Sequence, residues 1–141
     1  MIKVETLGMY DIAKINPVLT SATDVANNTF LTVDGTTYLV MNTGTGDDAD
    51  VEGLVIKAGD YLNGYDISAW VGQHLVIDEK HIAYGEGEDY TDITVGTTLL
   101  TINNNGKLAL AVSAPASGYY FKVTAKTRLT EKAVIAKVMV A

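Results

Sequence analysis

Cysteine is absent from all 141 residues, which removes disulfides, thiol nucleophiles, cysteine zinc sites and iron–sulfur clusters at once. Histidine is nearly absent too. His74 and His81 are the only two, and both stand beside apolar residues, in Gln73-His74-Leu75-Val76-Ile77 and Lys80-His81-Ile82-Ala83-Tyr84. Neither sits in a recognisable acid–base or metal motif. The four serines, Ser21, Ser68, Ser113 and Ser117, lack the Gly-x-Ser-x-Gly setting of a nucleophile elbow. Gly85-Glu86-Gly87-Glu88 has glycine spacing, but its carboxylates would repel the phosphate that a glycine-rich loop cradles. These shortages point away from catalysis and from any cofactor, and the expectation is a protein that is not an enzyme.

Arginine occurs once, at Arg128, and the sequence pI is about 4.6. A phosphate-binding stripe needs more cations than that, so nucleic acid is an unsuitable partner. Long apolar runs are missing as well: no segment approaches the roughly 18 residues of a membrane span. The opening Met1-Ile2-Lys3-Val4-Glu5-Thr6 lacks the basic stretch and apolar run of a signal peptide, so cytoplasmic synthesis is expected.

What is abundant is strand-forming. Thr, Val, Ile and Tyr together make up 50 residues, which favours sheet over helix. With 48% hydrophobic and 19% charged residues, the balance is that of a globular chain. From Thr29 onward, short apolar or alternating runs are separated by turn residues, the pattern of a small sandwich or barrel. The fold expected is mainly β: a single domain over residues 30–141, preceded by an extended arm over 1–29, with at most short helical turns. Seven or eight strands are expected.

Two hairpins are marked by their turns, Asp34-Gly35 between 30–33 and 37–42, and Asn105-Gly106 between 98–102 and 107–112. Further strands are expected at 54–57, 67–71, 75–77, 81–84 and 133–140. Along 120–128, Phe121, Val123, Ala125 and Thr127 alternate with Tyr120, Lys122, Thr124, Lys126 and Arg128, which predicts one apolar and one cationic face. In the arm, a helical turn is expected within 9–15, and Thr23 or Asp24 is expected to cap another.

Charge is segregated along the chain. Residues 34–92 carry two lysines against thirteen acids, whereas residues 107–141 carry six basic residues against Glu131. One reading is that the acids, as in Asp47-Asp48-Ala49-Asp50-Val51-Glu52 and Glu86-Gly87-Glu88-Asp89, are solvated loop charge. The other is that an acidic middle and a basic tail lie on different faces and orient copies or partners. Asp47, Asp48, Asp50 and Glu52 offer hard oxygen ligands, but their spacing departs from a calcium loop, with Gly46 before the acids instead of among them. No metal is expected. Trp70, the single tryptophan, has core packing as its default role and a sugar-stacking platform as the alternative.

Three segments, Met1 to Lys14 (MIKVETLGMYDIAK), Ala58 to Tyr65 (AGDYLNGY) and Thr127 to Val134 (TRLTEKAV), taken together resemble small head-decoration proteins of tailed bacteriophages and prophages of Gram-positive bacteria. The resemblance spans most of the chain. It implies a non-enzymatic virion structural protein that binds the outer surface of the capsid lattice and stabilises it, with the major capsid protein as partner and a homo-oligomer, a trimer by preference, as the working form. The arm residues Ile2, Val4, Leu7, Met9 and Tyr10 are then the expected partner-binding set, since an extended apolar strand can add to a sheet edge. The competing reading folds the arm back as the first strand of its own sheet. A carbohydrate-binding or tail-fibre module and a small hydrolase are the rival functions. The first would show an exposed Trp and Tyr cluster, and the second would bring His74 or His81 to a carboxylate.

Overall fold

The computed structural model describes residues 2–4, 19–42, 52–128 and 132–141. The protein is mainly β, built from several antiparallel sheets, and among the described residues no helix reaches seven residues. Thirteen strands occur among the described residues, several of only two or three residues. The chain divides into two compact units, residues 1–11 with 70–141, and residues 12–69.

The first unit is one six-stranded sheet. Its strands are β1 (Ile2–Val4), β9 (His74–Asp78), β10 (Leu99–Ile102), β11 (Leu108–Ala111), β12 (Tyr119–Arg128) and β13 (Lys132–Val140), in the order β1-β9-β13-β12-β10-β11. Ile2, Leu75, Ile77, Leu100, Phe121, Val123, Val134, Ala136 and Val138 have no solvent exposure, so one face of the sheet is a continuous apolar core. The Asn105-Gly106 turn joins β10 to β11 as expected, with the Asn103 carboxamide oxygen accepting from the amides of Asn105 and Lys107.

The alternation along β12 does not run through. A bulge between Val123 and Ala125 inserts one residue, so Phe121 and Val123 face the core but Ala125 pairs with half-buried Ile135 on the other side. Beyond the bulge Lys126 stands opposite Val134, on the core side. The single cationic face expected from the sequence is therefore split, because an extra residue exchanges the two faces.

The second unit holds β2 (Leu19–Thr20), β3 (Val25–Ala26), β4 (Thr29–Val33), β5 (Thr36–Val40), β6 (Val55–Ile56), β7 (Tyr61–Leu62) and β8 (Gly64–Asp66). The strands pair as β2-β7, β3-β6 and β4-β5-β8. Leu19, Val25, Val40, Ile56 and Leu62 form one buried cluster, with Leu31, Val33 and Tyr38 packed against it. Asp34 and Gly35 both have positive φ, 50° and 81°, the geometry of the tight hairpin turn that their sequence announces. Strands β2 and β3, from the expected arm, pair with β7 and β6 of this unit.

Three local expectations are corrected. Residues 67–70 form a 3-10 helix where a strand was expected. Asp66 turns the chain there by accepting from the Ser68 amide at 3.0 Å. At 79–81 a second 3-10 turn replaces the start of a strand, and Ile82 makes only an isolated bridge to Leu108. Asp24 caps no helix; its carboxylate accepts from the Ala58 amide at 2.9 Å. That bond, followed by the charge of Lys57, holds the Asp24 carboxyl below its ordinary range. The helical turn expected within 9–15 lies outside the described residues.

Candidate interaction surface

Of the expected partner-binding residues, Ile2 is fully buried in β1, paired with Ile77 of β9. Val4 pairs with Leu75 in the same strand. Over residues 2–4 the chain is thus the edge strand of its own sheet. Leu7, Met9 and Tyr10 lie outside the described residues, as does the acidic segment 47–52 apart from Glu52.

The opposite edge of the six-stranded sheet is β11. The Leu108 carbonyl accepts from the Ala83 amide at 2.7 Å, so the polar backbone groups of Leu108 point away from β10. Strand alternation then points those of Leu110 outward as well. Leu108-Ala109-Leu110-Ala111 carries no charge, and the chain leaves it at Val112, which is 94% exposed. Sheet edges are commonly guarded by lysine, proline or a covering loop. Beyond the Ala83 contact at Leu108, no strand of the described residues lies outside β11.

The face of this sheet away from the core carries a cross-strand row that register alone reveals: Leu99, Lys122, Lys137 and His74 stand side by side on β10, β12, β13 and β9. Opposed lysines have Cβ atoms about 5 Å apart and destabilise the pair they form. The sequence shows Lys122 on an alternating strand and Lys137 as the single charge of the last one. Only the pairing register brings them together.

On the core side, at the other end of the β12–β13 hairpin, the loop from Gly85 to Asp92 is anchored by Tyr90. Its hydroxyl donates to the carbonyls of Ala133 and Thr127, at 2.7 and 3.3 Å. Lys126 lies over the ring at 4.7 Å from its centre and donates to the Tyr90 carbonyl at 2.9 Å, while Lys132 sits at 5.6 Å from the same ring. The loop is also tied internally. Glu88 accepts from the Gly85 amide at 2.7 Å, and Asp89 and Asp92 form a reciprocal capping box around the turn at 90–92. The hydroxyl and amide of Thr91 both donate to Asp89 and hold its carboxyl below the usual range, with Lys132 and Lys126 adding smaller pulls. Glu86, Glu88 and Asp89 remain exposed.

The two histidines differ in setting. His74 is half-buried at the end of the cationic row, whereas His81 is 6% exposed and brings a ring nitrogen within 4.8 Å of an Asp78 carboxylate oxygen. His81 is buried, whereas Asp78 is half-buried. Trp70 has no exposed surface and is a core residue, which takes it out of any sugar-stacking platform. Among the described residues no helix is long and apolar enough to cross a membrane. The chain matches no family model, and no curated protein or solved structure matches it.

Proposed function

We propose that this chain is a non-enzymatic virion structural protein that binds the exterior of a phage capsid lattice and stabilises it, attaching through the open edge of β11. The observation that carries the attachment is the uncharged strand Leu108–Ala111 running into Val112 at 94% exposure. An edge of this kind recognises an extended segment of another protein by adding it as a further strand. The choice of a capsid as that protein comes from the resemblance in the three segments at 1–14, 58–65 and 127–134. A ligand that binds only the assembled lattice stabilises it by mass action, by about 2.7 kcal/mol per site at a hundredfold excess over Kd.

The test is co-sedimentation with preassembled capsids and capsid melting with and without added protein. The expected result is binding with a raised melting temperature, and its weakening by Leu110→Pro, which removes an outward-facing amide without taking a bond from β10. Ala109→Lys, which places a guarding charge on the strand, should act in the same direction. Capsids that neither bind the protein nor melt differently would reject the proposal.

A further inference from the structure

The row formed by Lys122, Lys137 and His74 has a cost and no visible internal return. Two lysines stand directly opposed on the longest strand pair of the sheet, where like charges weaken pairing. Among the described residues none bonds or pairs with either lysine or with His74. On these four strands the rows on either side, Thr101, Tyr120 and Met139, then Ala125, Ile135 and Val76, are uncharged, and the second reaches a charge at Lys3 of β1, which pairs with Val76. The row therefore concentrates positive charge between uncharged neighbours on β9, β10, β12 and β13, with Asp78, opposite Ala133, an acid further along the same face.

The same unit carries the complementary charge elsewhere. The Gly85–Asp92 loop displays Glu86 and Glu88 on a frame already fixed by Tyr90 and by the Asp89–Asp92 capping box. Because the loop is pre-ordered, little conformational freedom is lost when it docks. Lys126 and Lys132 lie at the Tyr90 ring and pull on Asp89, which leaves Glu86 and Glu88 as the acids without a matching cation in the loop's own contacts.

Loop and row cannot meet within one copy. Lys126, which packs on Tyr90, shares the core side of the hairpin with Val134, whereas Lys122 and Lys137 face the other way. The five residues from Lys122 to Thr127, where Tyr90 is anchored, add a separation of roughly 16 Å along the strand.

We infer that copies of this chain associate head to tail, the acidic loop carrying Glu86 and Glu88 of one copy docking on the Lys122–Lys137–His74 row of the next. Such a heterologous contact closes into a ring when the rotation between copies allows it. The inference names the interface for self-association and is independent of capsid binding, since its test uses the purified full chain alone.

Sedimentation velocity of the wild type is compared at about 0.01 M and about 1 M salt, where the Debye length is about 30 and 3 Å. Association is expected at low salt and dissociation at high salt. The pairs Lys122→Glu with Lys137→Glu, and Glu86→Lys with Glu88→Lys, should each weaken self-association about tenfold or more. Their equimolar mixture should associate again, because each variant supplies the charge that the other has reversed. Lys122→Gln with Lys137→Gln guards against a reversal that fails to fold. It should melt no lower than wild type, since it relieves the opposed charges, and should still lose association. A wild type monomeric at low salt, association indifferent to these substitutions, or a mixture that stays monomeric would each overturn the inference. So would a row that captures a single-stranded oligonucleotide while the chain remains monomeric.

Discussion

The Tyr90 hydroxyl donates to the carbonyl of Ala133 at 2.7 Å, tying a loop to a strand 43 residues further along the chain. Tyr90→Phe keeps the ring under Lys126 and removes only this bond and the longer one to Thr127. Leaving a buried carbonyl without a donor should cost about 1–3 kcal/mol. Urea denaturation at neutral pH measures it, and an unchanged midpoint would mean that the ring alone anchors the loop.

Ile2 is fully buried in β1 against β9. Ile2→Ala should therefore destabilise the six-stranded unit by about 2–5 kcal/mol, the range for truncating a core isoleucine. An effect below about 0.5 kcal/mol, as for a surface site, would return residues 2–4 to the role of a free arm.

Asn27 acts as a substitute strand partner. Its carboxamide oxygen accepts from the Asn42 amide at 2.7 Å and its nitrogen donates to the Asn42 carbonyl at 2.8 Å. The Asn42 side chain passes the arrangement on, accepting from the Asn63 amide at 2.7 Å and donating to the Tyr61 carbonyl at 3.0 Å. Asn27→Ala and Asn42→Ala should each cost about 1–3 kcal/mol. Because the two share one network, the double variant should depart from additivity by about 0.5–3 kcal/mol in a double-mutant cycle.

At Gly64 the backbone runs too close to its neighbours for a side chain. A Cβ there would meet Leu19 Cδ2 at 2.8 Å and Tyr38 Cβ at 3.0 Å. Gly64→Ala should destabilise the unit built on Leu19, Val40 and Leu62 by about 1–3 kcal/mol through overpacking. Thermal melting would show whether those side chains can give way instead.

The Tyr84 phenol is pushed above the ordinary tyrosine range, first by burial and then by the charge of Glu79, to which it donates at 3.1 Å. A phenol whose proton is held more tightly in the folded state contributes its stability fully below the unfolded value of about 10 and loses it as pH rises beyond that. Unfolding free energies of wild type and Tyr84→Phe, measured across the alkaline range, should therefore differ most below about pH 10 and converge above it. A gap that widens there would reverse the sign of the linkage.

The two hairpin turns were legible because Asp34-Gly35 and Asn105-Gly106 are local signals, read from two residues and their flanks. The class of fold was legible for a similar reason, since strand-forming residues dominate the composition. Ile67 to Trp70 was misread because an apolar run suits a strand or a turn equally, and the Asp66 side chain decides the matter by bonding to Ser68. The Lys122–Lys137 pair was illegible because it depends on a register set jointly by β12, β13 and the bulge between them. Tyr90 carried no signal at all in the sequence, as both carbonyls it serves lie more than thirty-five residues away.

The bulge in β12 makes the folded surface differ from anything a linear copy of the strand could display. In an extended peptide of residues 119–128, Lys122 and Lys126 would project from the same side, four residues apart. In the folded protein they serve opposite sides. An antibody raised against that peptide should therefore recognise denatured chain on a blot and fail on the native protein. The native epitope around Lys122 is discontinuous, shared with Lys137 and His74, and vanishes when the strands separate.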